Sequence, residues 1–145
     1  MVLLDTNILS ELVRPAPDTH VERWLAFQPI ASVFISAITE AELRYGVALL
    51  PEGRRRTSLA AAIAAMLEVD FGGRILPFDS EAAIAFAEIA AARRVAGHPI
   101  SQADAQIAAI ARSRGASLAT RNQADFYLCG VAIVDPWRAG TSPTA

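Results

Sequence analysis

Met1-Val2-Leu3-Leu4-Asp5-Thr6-Asn7 is the stretch whose reading decides the fold. Met1 to Leu4 is a short apolar run, as expected of a strand buried on both faces. Thr6 to Leu12 then reads as a helix. A buried strand that empties into a carboxylate and then a helix is the first half of an α/β unit. In open parallel sheets, ligands bind outside the carboxyl ends of the strands, and Asp5 stands there. Asp5 also has a plain role open to it, as the N-cap of the helix that follows.

The same alternation continues along the chain. Asp18 caps a second helix with Val21, Trp24, Leu25 and Gln28 on one face, and Pro29 stops it. Val33 to Ser36 reads as a second strand. A third helix opens at Thr39 and runs to about Leu50. Arg54-Arg55-Arg56 follows the break at Pro51-Glu52-Gly53, as a solvated loop or as contacts to phosphates. The helix Thr57 to Phe71 is rich in Ala and apolar on more than one face, which predicts burial on more than one side. Arg74 to Phe78 is the third strand, and Asp79 or Ser80 caps a helix from Glu81 to about Ala96. Ser101 caps another from Gln102 to Arg114, closed by Gly115. Ala116 to Thr120 and Val131 to Val134 are the last strands, with a short turn or helix at Asn122 to Tyr127. The expectation is one α/β domain over residues 1–138, with helices on both faces of a parallel sheet, and a disordered tail over 139–145.

The chain of 145 residues is long enough for a real core, and its apolar fraction of 53% suits a sheet covered on both faces. No apolar stretch reaches membrane-spanning length without a charge or turn residue, so no membrane role is expected. The apolar N-terminus lacks the basic region of a signal peptide. Cys129 stands alone, cannot form an internal disulfide and reads as core, so a cytoplasmic location is the default. The formal net charge of −2 gives no basic footprint for nucleic acid. All 13 basic residues are Arg, which removes every mechanism that needs a catalytic or phosphate-binding Lys.

The chemistry lies in the acids. Thr39-x-x-Glu42 fits a capping box. Glu42 also shares a helical face with Tyr45, Gly46 and Leu49, and Gly46, which costs roughly 1 kcal/mol relative to Ala, marks a close approach of another backbone. Ser101-x-x-Asp104 fits a cap, with an acid where the helix dipole favours it. Asp104 also lies on the face of Ile107, Ala108 and Ala111, toward the core. Asn122 and Asp125 follow the strand that ends at Thr120, where Asx caps are common. Each acid has a structural explanation alone. Together, Asp5, Glu42, Asp104 and Asn122 or Asp125 fall at one rim of the sheet. Like charges there would force one carboxylate to stay protonated unless a cation joins them. His20 and His98 stand outside the pattern. Oxygen donors alone fit Mg²⁺ or Mn²⁺ rather than Zn²⁺.

The runs Val2-Leu3-Leu4-Asp5-Thr6-Asn7, Ile38 to Gly46, Ala103 to Ala108 and Ala119-Thr120-Arg121-Asn122-x-x-Asp125-Phe126, in that order, resemble the PIN-domain family. Within it they are similar to the VapC and FitB toxins of bacterial type II toxin–antitoxin modules. The resemblance covers Met1 to Trp137. It implies a three-layer α/β/α domain with a parallel sheet of order 3-2-1-4-5. It also implies a Mg²⁺- or Mn²⁺-dependent endoribonuclease that cleaves RNA. The partners implied are a second copy in a homodimer and a cognate antitoxin of the VapB or FitA kind, with DNA reached only through the antitoxin. Asp5, Glu42 and Asp104 match the family's acidic positions and would hold metal. Asp125 would complete the catalytic set where family members often carry Asp in place of Asn122. Asn7, Thr120, Arg121 and Asn122 would orient substrate. Trp24, Leu25 and the Thr57–Phe71 helix would offer an antitoxin helix its groove.

Other Asp-bearing folds fit less well. A haloacid-dehalogenase-like phosphatase needs a second Asp where Asn7 stands, and a Lys. A response-regulator receiver and a P-loop enzyme need a Lys as well. The remaining alternative is a non-catalytic PIN-like module that binds RNA or a partner, with no more cleavage than a metal-free control.

Overall fold

The computed structural model describes residues 1–139. Strands β1 (Val2–Leu4), β2 (Val33–Ser36), β3 (Ile75–Leu76), β4 (Ser117–Ala119) and β5 (Ile133–Val134) form one parallel sheet in the order β3-β2-β1-β4-β5. β1 lies at the centre, with Val2 beside Val33 on one side and Ser117 on the other. All three of its residues are buried, as the opening run predicts. Burying each Leu contributes about 1.5–3 kcal/mol, so this short strand anchors the sheet.

Alternation along β1 separates two cores. Val2 and Leu4 join Ile8, Leu9, Val21, Trp24 and Ile35 on one face. Leu3 joins Ile89, Ile107, Ile110 and Leu118 on the other. The first face carries α1 (Thr6–Leu12), α2 (Thr19–Ala26) and α4 (Arg54–Ala65), and it receives Leu43 and Val47 of α3 (Ala37–Ala48). The second carries α5 (Ser80–Val95) and α6 (Gln102–Ser113), with the buried Cys129. The edge strand β3 is shorter than the predicted Arg74–Phe78 because Pro77, which has no N–H to donate, follows Leu76 at once. β5 is likewise confined to two residues.

Three local expectations fail for physical reasons. Helix α3 begins at Ala37, because the Ser36 hydroxyl accepts from the Thr39 N–H (3.0 Å) and so acts as the cap. Glu42 therefore sits in the second turn, and the Thr39–Glu42 capping box does not form. An ideal Cβ built on Gly46 would meet nothing within 4 Å, so no backbone packs there. Helix α4 starts with the three arginines as its first turn rather than after them, and it buries Ile63 alone. Ala60, Ala61, Ala62 and Ala65 face outward. Its continuation Met66–Asp70 widens into a π turn, in which the Phe71 N–H donates to the Met66 carbonyl (3.1 Å). That turn brings the buried Met66, Leu67 and Phe71 onto the first core together. Of the expected tail, Ala139 still packs on that core. Residues 140–145 lie outside the described residues.

Candidate active site

The carboxyl ends of β1 and β4 meet where the Asp5 N–H donates to the Ala119 carbonyl (2.9 Å). Asp5 leaves the sheet there and caps α1, its Oδ1 accepting from the Thr6 N–H (2.8 Å). Its Oδ2 accepts from the Thr120 hydroxyl (2.8 Å) and from Asn7 Nδ2 (3.3 Å). The capping and the functional readings of Asp5 are thus compatible, because the two oxygens divide the work.

Thr120 Oγ1 also accepts from Asn7 Nδ2 (3.1 Å) and from the Asn122 N–H (3.1 Å). A hydroxyl offers one proton and two lone pairs, and all three are used. The proton is therefore committed to Asp5. Thr120 is fully buried, so it holds Asp5 in place rather than touching substrate. Asn7 extends the scaffold, since its Oδ1 accepts from the Arg121 N–H (3.4 Å).

Glu42 comes from α3. Its Oε1 accepts from the Thr6 hydroxyl (2.7 Å), and Thr6 Oγ1 lies 3.1 Å from Thr39 Oγ1. The face it shares with Tyr45 and Leu49 is exposed. Asp104 stands in the first turn of α6, where its N–H donates to the Ser101 hydroxyl (3.2 Å). Its helix buries Ile107, Ala108 and Ala111 beneath it.

These three acids line one open cleft of about 400 Å³ with Asn7, Arg121 and Asn122. Asp125 does not line it, although its charge reaches Asp104. It lies in the 3-10 turn Gln123–Phe126, exposed, and its carbonyl accepts from Arg93 Nη1 (2.8 Å). Sequence reasoning missed five residues of the cleft, namely Thr6, Ser10, Glu11, Arg14 and Trp137. The signal for Trp137 was Asp135-Pro136 straight after the last strand, since an Asp there forms a turn by accepting from the backbone N–H two residues on, which is that of Trp137 (2.9 Å).

Electrostatics set Asp5 apart. Burial pushes its pKa up to about 6, against the hydrogen bonds from Thr120 and Thr6 and with the charges of Asp104 and Glu42. Asp104 is also raised, by burial first; the Ser101 hydroxyl opposes this, and Asp125 and Glu42 add to it. Among the described residues, none of Asp5, Glu42 and Asp104 is in an ion pair. No imidazole or thiol lines the cleft. In donor chemistry the site fits a hard divalent cation. In spacing, no three acids among the described residues stand close enough together to share one, and Glu42 is engaged with Thr6.

A family model for the PIN domain matches residues 2–128. The chain belongs to the PIN-domain family. This PIN domain is 42% identical to Toxin FitB of Neisseria gonorrhoeae, over 94% of this chain and 99% of the toxin. It is 40% identical to VapC ribonuclease Y4jK of Sinorhizobium fredii, over 94% and 98% of the two chains. Its fold superimposes on the crystal structure of FitAcB from Neisseria gonorrhoeae with a TM-score of 0.89 and 41% identity, covering 96% of this chain and 100% of that one. Toxin–antitoxin complexes are among the other solved structures it resembles. The sheet order expected of a PIN domain, 3-2-1-4-5, is the order observed.

Proposed function

We propose that this chain is the endoribonuclease toxin of a toxin–antitoxin pair and hydrolyses RNA phosphodiester bonds with a divalent metal ion. The observation that carries the reading is the cleft lined by Asp5, Glu42 and Asp104, acids from three elements, none of them in an ion pair among the described residues. Their relatives' names, ribonuclease and toxin, support it. Mg²⁺ keeps several waters and needs only one or two direct carboxylates, so Asp5, Glu42 and Asp104, which do not stand close enough for all three to touch one ion, would hold Mg²⁺ or Mn²⁺ in part through water. The ion would supply positive charge to the scissile phosphate and make water a better nucleophile.

The chain's own residues supply the rest. Thr120 and Asn7 fix the Asp5 carboxylate so that no rotamer search is needed when substrate arrives. Asn122 and Arg121 stand at the rim, where an amide and a guanidinium can orient phosphate oxygens. Asp125 acts on the site through its charge. A cognate antitoxin inhibits the enzyme, the working unit is a homodimer in the cytoplasm, and DNA is met through the antitoxin alone.

Analysis of product ends tests the chemistry. Neither His20 nor His98 lines the cleft, so no imidazole is placed to activate the ribose 2′-hydroxyl. Attack by water leaves a 5′-phosphate and a 3′-hydroxyl, in Mg²⁺ or Mn²⁺ but not in EDTA. A 2′,3′-cyclic phosphate refutes the mechanism. Cleavage no greater with metal than without it favours the non-catalytic module instead.

A further inference from the structure

Trp137 is the single aromatic side chain lining the acidic cleft among the described residues. The Trp137 backbone N–H donates to Asp135 Oδ1 (2.9 Å), and the half-buried indole packs against the first core. The ring is thus fixed by a turn and by packing. Over it lies the Arg121 guanidinium, with Cζ 4.9 Å from the ring centroid. Arg121 is exposed and, among the described residues, makes no ion pair, although four carboxylates line the same cleft. The other arginine of the cleft, Arg14, is tied to Glu11 (3.1 Å).

A planar cation covering an indole beside a reaction centre occupies the place that an unpaired base takes on an aromatic platform. We propose that Trp137 and Arg121 form a nucleotide subsite next to the scissile bond. An unpaired base stacks on the indole face that the guanidinium covers, and the guanidinium turns out to pair with a phosphate. The proposal rests on the reading of the chain as an RNA nuclease and names its substrate class, single-stranded RNA. Stacking of a base on an aromatic ring outweighs a solvent-exposed cation–π contact, so the exchange runs toward the bound state. No carboxylate among the described residues holds Arg121 back. A duplex keeps its bases paired and cannot use the platform.

The test is a fluorescence titration in EDTA with a short RNA of mixed sequence, alone or annealed to its complement. The single strand quenches Trp137, while Trp24, at 1% exposure, stays unaffected. Trp137→Phe keeps an aromatic face and binds within about threefold of the wild type, whereas Trp137→Leu fills the same contact without it and binds at least about fivefold more weakly. Packing alone would be served by either. Arg121→Gln leaves the core untouched and lowers the salt dependence of binding by about one phosphate contact. Absence of quenching, no binding by the wild type, equal affinity for duplex, or wild-type binding by Trp137→Leu overturns the proposal. The readout needs no metal, so failure of the nuclease reading shows separately, as quenching without metal-dependent cleavage.

Discussion

Asp5 is a buried carboxylate with hydrogen bonds to both oxygens and no cation against it. Its pKa in the folded state, about 6, lies above the ordinary 3.8, so between those values the folded protein binds the proton and the unfolded chain has released it. Stability therefore falls as pH rises through that window, by roughly 3 kcal/mol at most, and the penalty is fully present at pH 7. Asp5→Asn keeps a capping oxygen for Thr6 and removes the charge. In EDTA, urea melts should find the variant more stable than the wild type at pH 7 and the gap narrower at pH 4.5. With Mg²⁺ or Mn²⁺ the wild type should gain stability and the variant little, since that gain depends on affinity for the native state. Cleavage should drop at least about a hundredfold. An unchanged gap between the two pH values would remove Asp5 as the titrating group. This residue was legible in the sequence because a buried strand that ends in Asp has few reasons to do so. Thr120 was legible only as a site position, since its hydroxyl's three bonds depend on how β1 and β4 pair. Glu42 was legible as an acid near the rim, but its capping role was not borne out, because Ser36 outcompetes Thr39 for the helix start.

At the scale of elements, periodicity located each helix and strand, and the misreadings lie at their ends and faces. The alanines of α4 look like core in sequence, yet Ala is equally at home on a helix surface, and there most of them lie. The arginine run looks like a loop, yet Arg54 to Arg56 forms the first turn of α4, with no side-chain cap at Gly53. Positive charges at a helix N-terminus oppose its dipole. Arg54→Glu should thus stabilise the protein by about 0.3–1 kcal/mol at low ionic strength. Urea melts at low and at high salt check it. The gain should shrink in high salt, because screening weakens exposed charges, and a gain that persists there would come from something other than the dipole.

At the scale of the molecule, the acidic cleft continues into apolar ground. A neighbouring cleft of about 650 Å³ shares Thr6, Ser10, Arg14 and Glu42 with it and reaches Leu59, Ala62 and Ile63 of α4. A further one of about 730 Å³ shares Val13 and Ala62 and is lined by Leu25, Met66 and Phe71. Trp24, expected on this surface, is instead wholly in the core and cannot meet a partner. The open Gly46 borders the same cleft, where a larger side chain would narrow it. An amphipathic helix of the proposed antitoxin laid in this groove would bury the apolar face of α4 and end against Glu42, which would couple its binding to inhibition by position alone. Ala62 faces both apolar clefts and is exposed, so Ala62→Arg fills the groove without disturbing the core. That variant should cleave RNA at the wild-type rate and bind the antitoxin at least about tenfold more weakly, as expected when a charge is forced into an apolar contact. Hydrogen exchange offers the second readout. Amides from Leu59 to Phe71 should slow when the antitoxin binds the wild type, and far less in the variant. If Ala62→Arg is inhibited as fully as the wild type at the same antitoxin concentration, the inhibitory segment lies elsewhere on the molecule.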